Sequence, residues 1–474
     1  MLFGFPRRPG TADVHRHPFP IHPQVRVIPH MLKNLRFLVG CALFYAAAAP
    51  ASHLLDIYEL AKENDPVLRE ARERFHSTEE VKPQANALLL PTLSASAEAD
   101  AVRDDVSGRL AGNGKSSYGQ AIAQIAVSQP VYHRDYWIRL DQADHNIAQA
   151  AALLAAAEID LMVRSTSAYF NVLAAADNLR TATAEKQANG RQLEQAQQRF
   201  DVGLVAITDV HEAQAAFDNA VANEITADNA LSNAWEDLRK IVGPINKPLA
   251  KLGDKLPLRA PQPENVEQWA DRAQQQNYEI IGARAGADAS KQNIEIQNSG
   301  HYPTLDLVGA YSVLNSGDSS VGDRNEGVVG LQLKIPLYQG GAVTSRTRQA
   351  RFDFQADMEV LDQKRREVNR QVRDGYRGVI SSIGKVKALK STVRSFTSAL
   401  ESTQAGLEVG TRTMVDVLTV TKSLYQAQRD YDRARYDYII NGLKLHQAAS
   451  SLTPELLEKA NEWLLMNETV EPPG

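Results

Sequence analysis

The chain has 474 residues and a formal net charge of −5, from 52 Lys and Arg against 57 Asp and Glu. A pI near 6.2 argues against a general nucleic-acid binder, and a mean hydropathy of −0.35 argues against a bundle of apolar membrane helices. The single cysteine, Cys41, excludes an internal disulfide and a cysteine-rich zinc site.

The first 51 residues are not expected to join the fold. Residues 1–30 are rich in proline and histidine and lack apolar periodicity, which favours a disordered or untranslated leader over the alternative of a metal-binding tract. Residues 31–51 combine a short basic start, about a dozen apolar residues and an Ala49-Pro50-Ala51 cleavage motif, the pattern of a secretory signal peptide. We therefore expect translation to begin at Met31 and the mature chain to begin at about Ser52.

The rest of the sequence contains two copies of one unit, joined by a linker. Matching segments recur at a distance of roughly 210 residues, which indicates a duplication and not a solenoid array. The matched segments are Leu90–Leu93 with Tyr302–Leu305, Gln129–Tyr132 with Ile335–Tyr338, and Asp201–Gly203 with Glu408–Gly410. We assign residues 52–243 to the first copy, 244–263 to a proline-rich linker, 264–452 to the second copy and 453–474 to a C-terminal tail.

Each copy is predicted to run in the order helix, two strands, very long helix, tight turn and helix. In the first long helix, apolar residues from Leu140 to Leu161 recur with steps of three and four, the heptad period of a coiled coil. Many of them are alanine, so the partner helix must approach closely. An ordinary helix-bundle core is the alternative, but helices of about 65 residues far exceed the usual globular length. The predicted helices are Leu55–Asn86, His133–Phe200 and Ile207–Val242 in the first copy, and Val266–Asn298, Ala342–Leu407 and Met414–Ser450 in the second.

The lengths of these helices suggest how they pack. The two shorter helices of each copy together nearly equal the long one, so they could stack end to end along it. At 1.5 Å per residue, the resulting rod would be on the order of 100 Å long.

Two segments of each copy alternate apolar and polar residues with a period of two, as from Leu93 to Ala101. Each has about ten residues, the length of a tilted transmembrane strand. The stretches that connect the segments of each pair, Arg103–Ser117 and Asn315–Glu326, are rich in Gly, Ser, Asp and Asn, which is typical of the loops of two hairpins.

Two interpretations of these hairpins are open: they cover a soluble core, or they enter a membrane. Four strands cannot close a barrel with a useful bore, and a lipid-facing sheet cannot keep open edges, because unpaired backbone groups in hydrocarbon are very costly. If the strands enter a membrane, several chains must therefore pool them, and three chains would give twelve strands.

Two short turns carry a specific resemblance to a known family. Arg199–Val210 resembles the first tip turn of the outer-membrane channel-tunnel family, also called the outer membrane efflux protein or TolC family, and Val409–Leu418 resembles the second. The flanking runs Ala222–Ala227 and Ala434–Asn441 are similar to the same family. The resemblance covers about Leu54 to Leu452.

This resemblance implies an α+β membrane protein that works as a homotrimer. Its twelve-stranded β-barrel, with four strands per chain, would lie in the outer membrane of a Gram-negative cell and continue into the periplasm as a long α-helical coiled-coil barrel. Such proteins are exit ducts for tripartite multidrug efflux and type I protein secretion. The implied partners are a periplasmic adaptor (membrane fusion) protein, an inner-membrane efflux pump or ABC transporter, and outer-membrane lipid, with no nucleic acid and no cofactor.

The resemblance also implies a pore constriction at the periplasmic tip. Asp416 matches the acidic residue that forms a ring at the constriction in the family, and a three-fold ring of carboxylates concentrates cations. Thr419 stands where the family has a second aspartate. The ring should therefore be single and less negative than in the family.

Contacts that close the tip are implied in the same way. Arg412 matches a donor of these contacts, and Thr208 and Asp209 match acceptors. The family has a tyrosine three residues before the glycine of the second turn, and Leu407 replaces it here. One link of the latch is missing, so closure is expected to be looser.

The two turns also have roles that follow from the residues alone. Gly203 and Gly410 can take positive φ at a helix end. Thr208 and Thr413 are placed to cap the returning helices, and an acidic residue follows near the first turn of each, where the helix dipole favours anions. Pure capping is therefore the alternative to a gating role for these carboxylates. The turns are also the expected docking site of the adaptor, through Gly203, Leu204, Val205 and Ala206 in the first and Gly410, Thr411 and Thr413 in the second.

Two rival classes of function fit the sequence less well. An enzyme is not indicated, since no HExxH, GxSxG, P-loop or GxGxxG motif occurs in a suitable context. A soluble periplasmic helical-hairpin adaptor is the alternative function. It would need a split β-domain around one hairpin, which the duplicated strand pairs do not match.

Overall fold

The computed structural model of the chain describes residues 52–106, 114–318 and 322–472. The predicted leader and signal peptide, residues 1–51, lie outside the described residues. The described helices are α1 (Leu54–Asn64), α2 (Pro66–Glu79), α3 (Val81–Ala87), α4 (Arg134–Asp201), α5 (Ile207–Val242), α6 (Val266–Gln276), α7 (Tyr278–Asn298), α8 (Ala342–Glu408), α9 (Met414–Ala448) and α10 (Pro454–Asn461). The strands are β1 (Thr92–Val106), β2 (Gly114–Tyr132), β3 (Leu249–Leu252), β4 (Thr304–Ser316), β5 (Arg324–Lys334) and β6 (Leu464–Val470).

Two very long helices, α4 and α8, form the frame of the molecule. They have 68 and 67 residues, which confirms the predicted bounds to within one residue at either end. At 1.5 Å per residue each is about 100 Å long. α5 folds back along α4 to make the first hairpin, and α9 folds back along α8 to make the second hairpin. The two hairpins contact each other along α4 and α9, a contact that we call the seam.

The shorter helices stack along the long ones as their lengths suggested. α2 and α3 pack on α4 near the sheet, and α5 packs on the rest of α4. In the second copy α7 packs on α8 near the sheet, and α9 packs on the rest of α8. α7 also lies close against α4. A Cβ added at Gly286 would come within 2.8 Å of Gln149 Nε2, and one at Gly282 within 3.5 Å of Ala152 Cβ. Small residues on both helices thus permit the close approach that the alanine content predicted.

The prediction of one continuous helix at the start of each copy was wrong, because a capping side chain interrupts the helix in both copies. Asp65 takes an extended conformation (φ −64°, ψ 119°), and its Oδ2 accepts a hydrogen bond from the N–H of Leu68 at 2.8 Å. Pro66 then opens α2, where its missing N–H costs nothing. Asn277 does the same between α6 and α7, accepting from two N–H groups at the start of α7. Both side chains start a new helix where a single one was expected.

Four strands form one antiparallel sheet in the order β1-β2-β4-β5, so β2 and β4 join the two copies. The strands have 15, 19, 13 and 11 residues, and most are longer than the length of about ten predicted from alternation. The ladder continues into residues assigned to the loops, because backbone pairing needs no apolar side chain. Asp105 and Lys115 face each other there and form an ion pair of 3.0 Å.

The sheet has one apolar face that runs across all four strands. Residues directly opposite each other in an antiparallel pair lie on the same face. One row of the apolar face is Leu93, Val127, Gly309 and Val329, and one row of the other face is Ser96, Gln124, Ser312 and Glu326. Leu93 is 76% exposed and Val329 is 83% exposed in the single chain. The apolar face of the sheet is therefore uncovered in one chain, which disfavours the interpretation that the two β-hairpins cover a soluble core.

The main hydrophobic core surrounds the middle of α4 and α8, at the ends of α5 and α9 that lie far from the turns. β3, in the predicted linker, pairs there with β6, in the predicted tail. The hydroxyl of Tyr169 in α4 donates to the carbonyl of Ala250 in β3 at 2.7 Å, and burial raises the pKa of Tyr169 far above its ordinary value. Linker and tail are therefore packed parts of the fold. Nothing in the sequence indicated β3, since four residues are too few to show a period.

Candidate functional site

The two turns that end the hairpins are built around glycines. Gly203 follows α4 with φ +73° and Gly410 follows α8 with φ +77°, the left-handed region that glycine enters without steric cost. The N–H groups of Leu204 and Thr411 each donate to a carbonyl five residues earlier, at 2.8 Å. Such bonds close the end of a helix. The positive φ predicted for both glycines is confirmed.

Thr413 caps α9, as predicted, through reciprocal bonds with Asp416. The hydroxyl of Thr413 accepts from the N–H of Asp416 at 3.2 Å, and Asp416 Oδ2 accepts from the N–H of Thr413 at 2.9 Å. The predicted cap at Thr208 was wrong. α5 begins at Ile207, and the extended residue before it is Ala206, which makes no side-chain cap bond. Because Ala206 and Thr413 both stand three residues after a turn glycine, they are the equivalent positions, and Thr208 already lies inside the helix.

Asp416 carries a negative charge at the start of α9. Hydrogen bonds from the backbone and the hydroxyl of Thr413 hold the pKa of Asp416 below its ordinary value, and the nearby charge of Arg412 acts in the same direction. The carboxylate is therefore ionised at neutral pH. Both bonds use Oδ2, and Oδ1 makes no hydrogen bond among the described residues. Capping of α9 by Oδ2 therefore does not occupy Oδ1.

The side chain of Arg412 folds back over α8. A Cβ added at Gly406 would stand only 2.6 Å from Arg412 Cγ, and the N–H of Arg412 donates to the carbonyl of Gly406 at 3.2 Å. Thr208 is exposed, and Asp209 lies in the first turn of α5. In the part of the chain that the structure describes, no hydrogen bond or ion pair joins Arg412 to either of them. The bond predicted between Arg412 and the Thr208 and Asp209 region is therefore not made within the single chain, and the latch stays a prediction.

A small group of apolar side chains, which we call the tip cluster, joins the four long helices just above the turns. Ala196 of α4, Ala213 of α5 and Met414 of α9 are buried at its centre. The partly buried residues around them are Leu193, Val210, Leu407 and Leu418. Leu407 thus replaces the family's tyrosine with apolar packing inside one chain. This cluster was not predicted from the sequence, although apolar residues three or four apart at the ends of the helices are its signal.

The turns expose apolar side chains at the far end of the hairpins. Val202 is 69% exposed, Leu204 74% and Val409 75%. Of the residues predicted to dock the adaptor, Val205 is half-buried and the others are exposed. Adjacent exposed apolar residues are typical of a surface that a partner covers.

A polar cluster links α4 and α9 nearer the middle of the molecule. Asp177 accepts a hydrogen bond from the hydroxyl of Tyr436 at 2.6 Å, and Arg180 lies 3.1 Å from Asp177 and 3.6 Å from Asp432. Burial and the charge of Asp177 raise the pKa of Asp432 to about 6, although Arg180 and Arg435 oppose this. The members of this carboxylate cluster are Asp177, Arg180, Asp254, Asp432, Arg435 and Tyr436. Among the described residues, no group of three or more His, Cys, Asp or Glu is placed to hold a metal ion.

The sequence matches a family model described as outer membrane efflux protein over residues 57–244 and 269–451. It is 40% identical over 440 residues to outer membrane protein TolC of Vibrio cholerae, a match that covers 92% of this chain and 99% of that protein. It is 29% identical over 447 residues to the alkaline protease secretion protein AprF of Pseudomonas aeruginosa, with 93% of each chain covered.

Among solved structures, the fold is similar to that of the Campylobacter jejuni CmeC outer membrane channel. The TM-score is 0.75 at 13% identity, and the match covers 87% of this chain and 90% of the other. At this identity the likeness concerns the fold alone.

Proposed function

Because this chain belongs to the outer membrane efflux protein family, we propose that it serves as the exit duct of tripartite export systems. It is an outer-membrane channel protein, and its family is a transport family and not an enzyme family. In the proposed role it passes drugs out of the cell and also polypeptides, as the name of the protease-secretion relative suggests. An inner-membrane pump or ABC transporter supplies the energy.

The observation that carries this proposal is the four-stranded sheet with one apolar face and two open edges. The outer edges of β1 and β5 have no partner strand among the described residues. Unpaired backbone groups cannot be left in hydrocarbon, so the sheet must find further strands before it enters a membrane. Three copies would pool twelve strands in a closed barrel, with the apolar face toward lipid and the polar face toward the lumen. We therefore propose a homotrimer.

The hairpins would extend this duct into the periplasm. Three copies of α4, α5, α8 and α9 supply twelve helices to the tip end, and each long helix reaches about 100 Å. The heptad spacing of α4 supports a coiled-coil wall. The soluble adaptor alternative is disfavoured, because it leaves the apolar face of the sheet in water.

At the tip we propose a constriction and a latch. Three Asp416 carboxylates would form one negative ring, and Thr419, about one helical turn higher in α9, leaves no second ring above it. Arg412 of one chain would bond to Thr208 or Asp209 of its neighbour and hold the tip shut. The exposed, charged Arg412 and the ionised Asp416 support this arrangement.

Single-channel recording of the purified protein in a planar lipid bilayer tests the proposal, together with the mass of the complex in detergent. The expected result is a small, stable, cation-selective conductance from a trimer. A protein that does not insert into lipid, or that stays monomeric in detergent, would overturn the proposal and favour the soluble adaptor.

The adaptor is proposed to dock on the exposed turns. Leu204→Asp and Val409→Asp should abolish drug efflux in a cell that depends on this channel, because a charge is placed in the apolar contact, while bilayer conductance stays normal. Ile225→Asp is the matched control, since Ile225 is 65% exposed on α5, about 27 Å above the turn. Normal efflux in both turn variants would argue against docking there.

A further inference from the structure

An ion pair crosses the seam between the two hairpins above the tip cluster. Arg429 Nη1 of α9 donates to Glu185 Oε2 of α4 at 2.7 Å. The side chain of Glu185 is 5% exposed, and that of Arg429 is 27% exposed. Each residue stands roughly 16 residues from the turn end of its helix, so the pair lies about 24 Å above the turns.

Below this pair, the seam contains buried polar atoms without partners. Gln192 Oε1 on α4 and Thr421 Oγ1 on α9 are buried and make no hydrogen bond among the described residues. α4 descends to the turns and α9 rises from them. Gln192 and Thr421 therefore lie at about the same level, between the ion pair and the tip cluster. A buried polar atom without a partner is unfavourable compared with the same atom in water. These two atoms are therefore unfavourable features of the packed arrangement at this level.

The ion pair and the tip cluster thus join α4 and α9 at the two ends of this stretch of the seam. Removal of one member of a buried pair leaves the other charge buried and uncompensated, which is strongly unfavourable. The neighbouring residue Lys186 pairs with Glu224 of α5, inside the first hairpin. Adjacent residues of α4 therefore make two ion pairs, of which one crosses the seam and one does not.

We propose that the Glu185–Arg429 pair is a closing contact of the duct, separate from the contacts at the turns, and that it must break when the hairpins separate. The consequence for conduction rests on the proposed function, whereas the contact itself lies within a single chain.

Separation of the seam can be measured without conduction, through a cysteine at Ala196. This residue is fully buried in the tip cluster, so a thiol reagent reaches the cysteine only when the hairpins part. In full-length protein with Ala196→Cys, the added change Arg429→Gln should raise the rate of thiol modification at least tenfold. Protein without Ala196→Cys gives the background, since its sequence has one cysteine, Cys41.

Lys186→Gln is the matched control, because it breaks the adjacent pair within one hairpin. It should leave the rate of thiol modification within twofold. An equal rise in Lys186→Gln and Arg429→Gln would mean general loosening of α4 and would overturn the proposal. If Arg429→Gln does not assemble, Glu185→Gln provides the test, since it keeps an oxygen that accepts from Arg429. It should give a smaller rise, and an unchanged rate would overturn the proposal.

Conduction separates the failure of this proposal from the failure of the proposed function. In planar bilayers Arg429→Gln should raise the open fraction of the channel at least threefold, and Lys186→Gln should not. A wild-type protein that never conducts overturns the proposed function and leaves the thiol test valid. A conducting wild type, with neither modification nor open fraction changed in Arg429→Gln, overturns the pair as a closing contact.

Discussion

Truncation of Met414 to alanine tests whether packing in the tip cluster holds the hairpins together. Met414 is 3% exposed, and the change removes three heavy atoms. At about 0.8 kcal/mol for each buried methylene-sized group, the loss is about 2.4 kcal/mol. Four of the six side chains around Met414 belong to the first hairpin, and Met414 contacts these four only while the two hairpins are packed together. About two-thirds of the loss, about 1.6 kcal/mol, therefore destabilises the packed hairpins relative to the separated ones. Since 1.4 kcal/mol is about tenfold, the balance should move toward separated hairpins by roughly 15-fold.

The assay is single-channel recording, in which the open fraction reports this balance. Met358→Ala is the matched control, because it removes the same atoms from α8 about 75 Å from the turns. The open fraction of Met358→Ala should equal that of the wild type. If Met414→Ala assembles normally and its open fraction stays within twofold of the wild type, the reasoning that this cluster carries closure is refuted.

Three further predictions concern charged groups. Arg412→Ser should raise the conductance of the open channel, because it removes the donor of the latch; unchanged conductance would count against the latch. Asp416→Asn neutralises the ring but keeps an oxygen that can cap α9, so reversal potentials should show a weaker cation preference, whereas Thr413→Ala should leave that preference intact. The pKa of Asp432 is raised from 3.8 to about 6 in the folded chain. Between these two pH values the folded chain holds a proton on Asp432 that the unfolded chain has released. The contribution of Asp432 to the stability of the fold therefore increases as the pH falls from about 6 toward 3.8. Relative to Asp432→Asn, the wild type should therefore gain thermal stability between pH 7 and pH 5, and equal pH dependence of the two melting temperatures would refute the raised pKa.

The turns show both the strength and the limit of local reasoning. Gly203 and Gly410 were predictable, because positive φ after a helix is a property of a single residue that glycine alone meets without strain. The cap of the first turn was not, because Thr208 is a good capping residue by type while the entry into α5 is decided by the path of the turn. The extended conformation of Ala206 places Thr208 inside the helix, whatever its intrinsic preference.

Tertiary contacts that local sequence does not reveal also explain the helix breaks at Asp65 and Asn277. Apolar spacing continues on both sides of each break, so the sequence predicts one helix. What interrupts it is a side chain that the tertiary structure holds in place. The carboxylate of Asp65 accepts two hydrogen bonds from the guanidinium of Arg164, and Asn277 Nδ2 donates to the carbonyl of Ala448 at 2.9 Å. Both partners are distant in sequence, and the sequence pattern of one helix contains no information about them.

The sequence by itself predicted the two very long helices, the four strands of the main sheet and a glycine with positive φ after each long helix. All of these are periodicities or short motifs carried by one stretch of chain. Only the tertiary structure decided that β3 pairs with β6, that four helix ends meet in the tip cluster, and that Glu185 reaches Arg429 across 244 residues of sequence. The two contacts between helices depend on the axial register of helices that lie far apart in the sequence. A shift of one helical turn would keep every periodicity and change every partner.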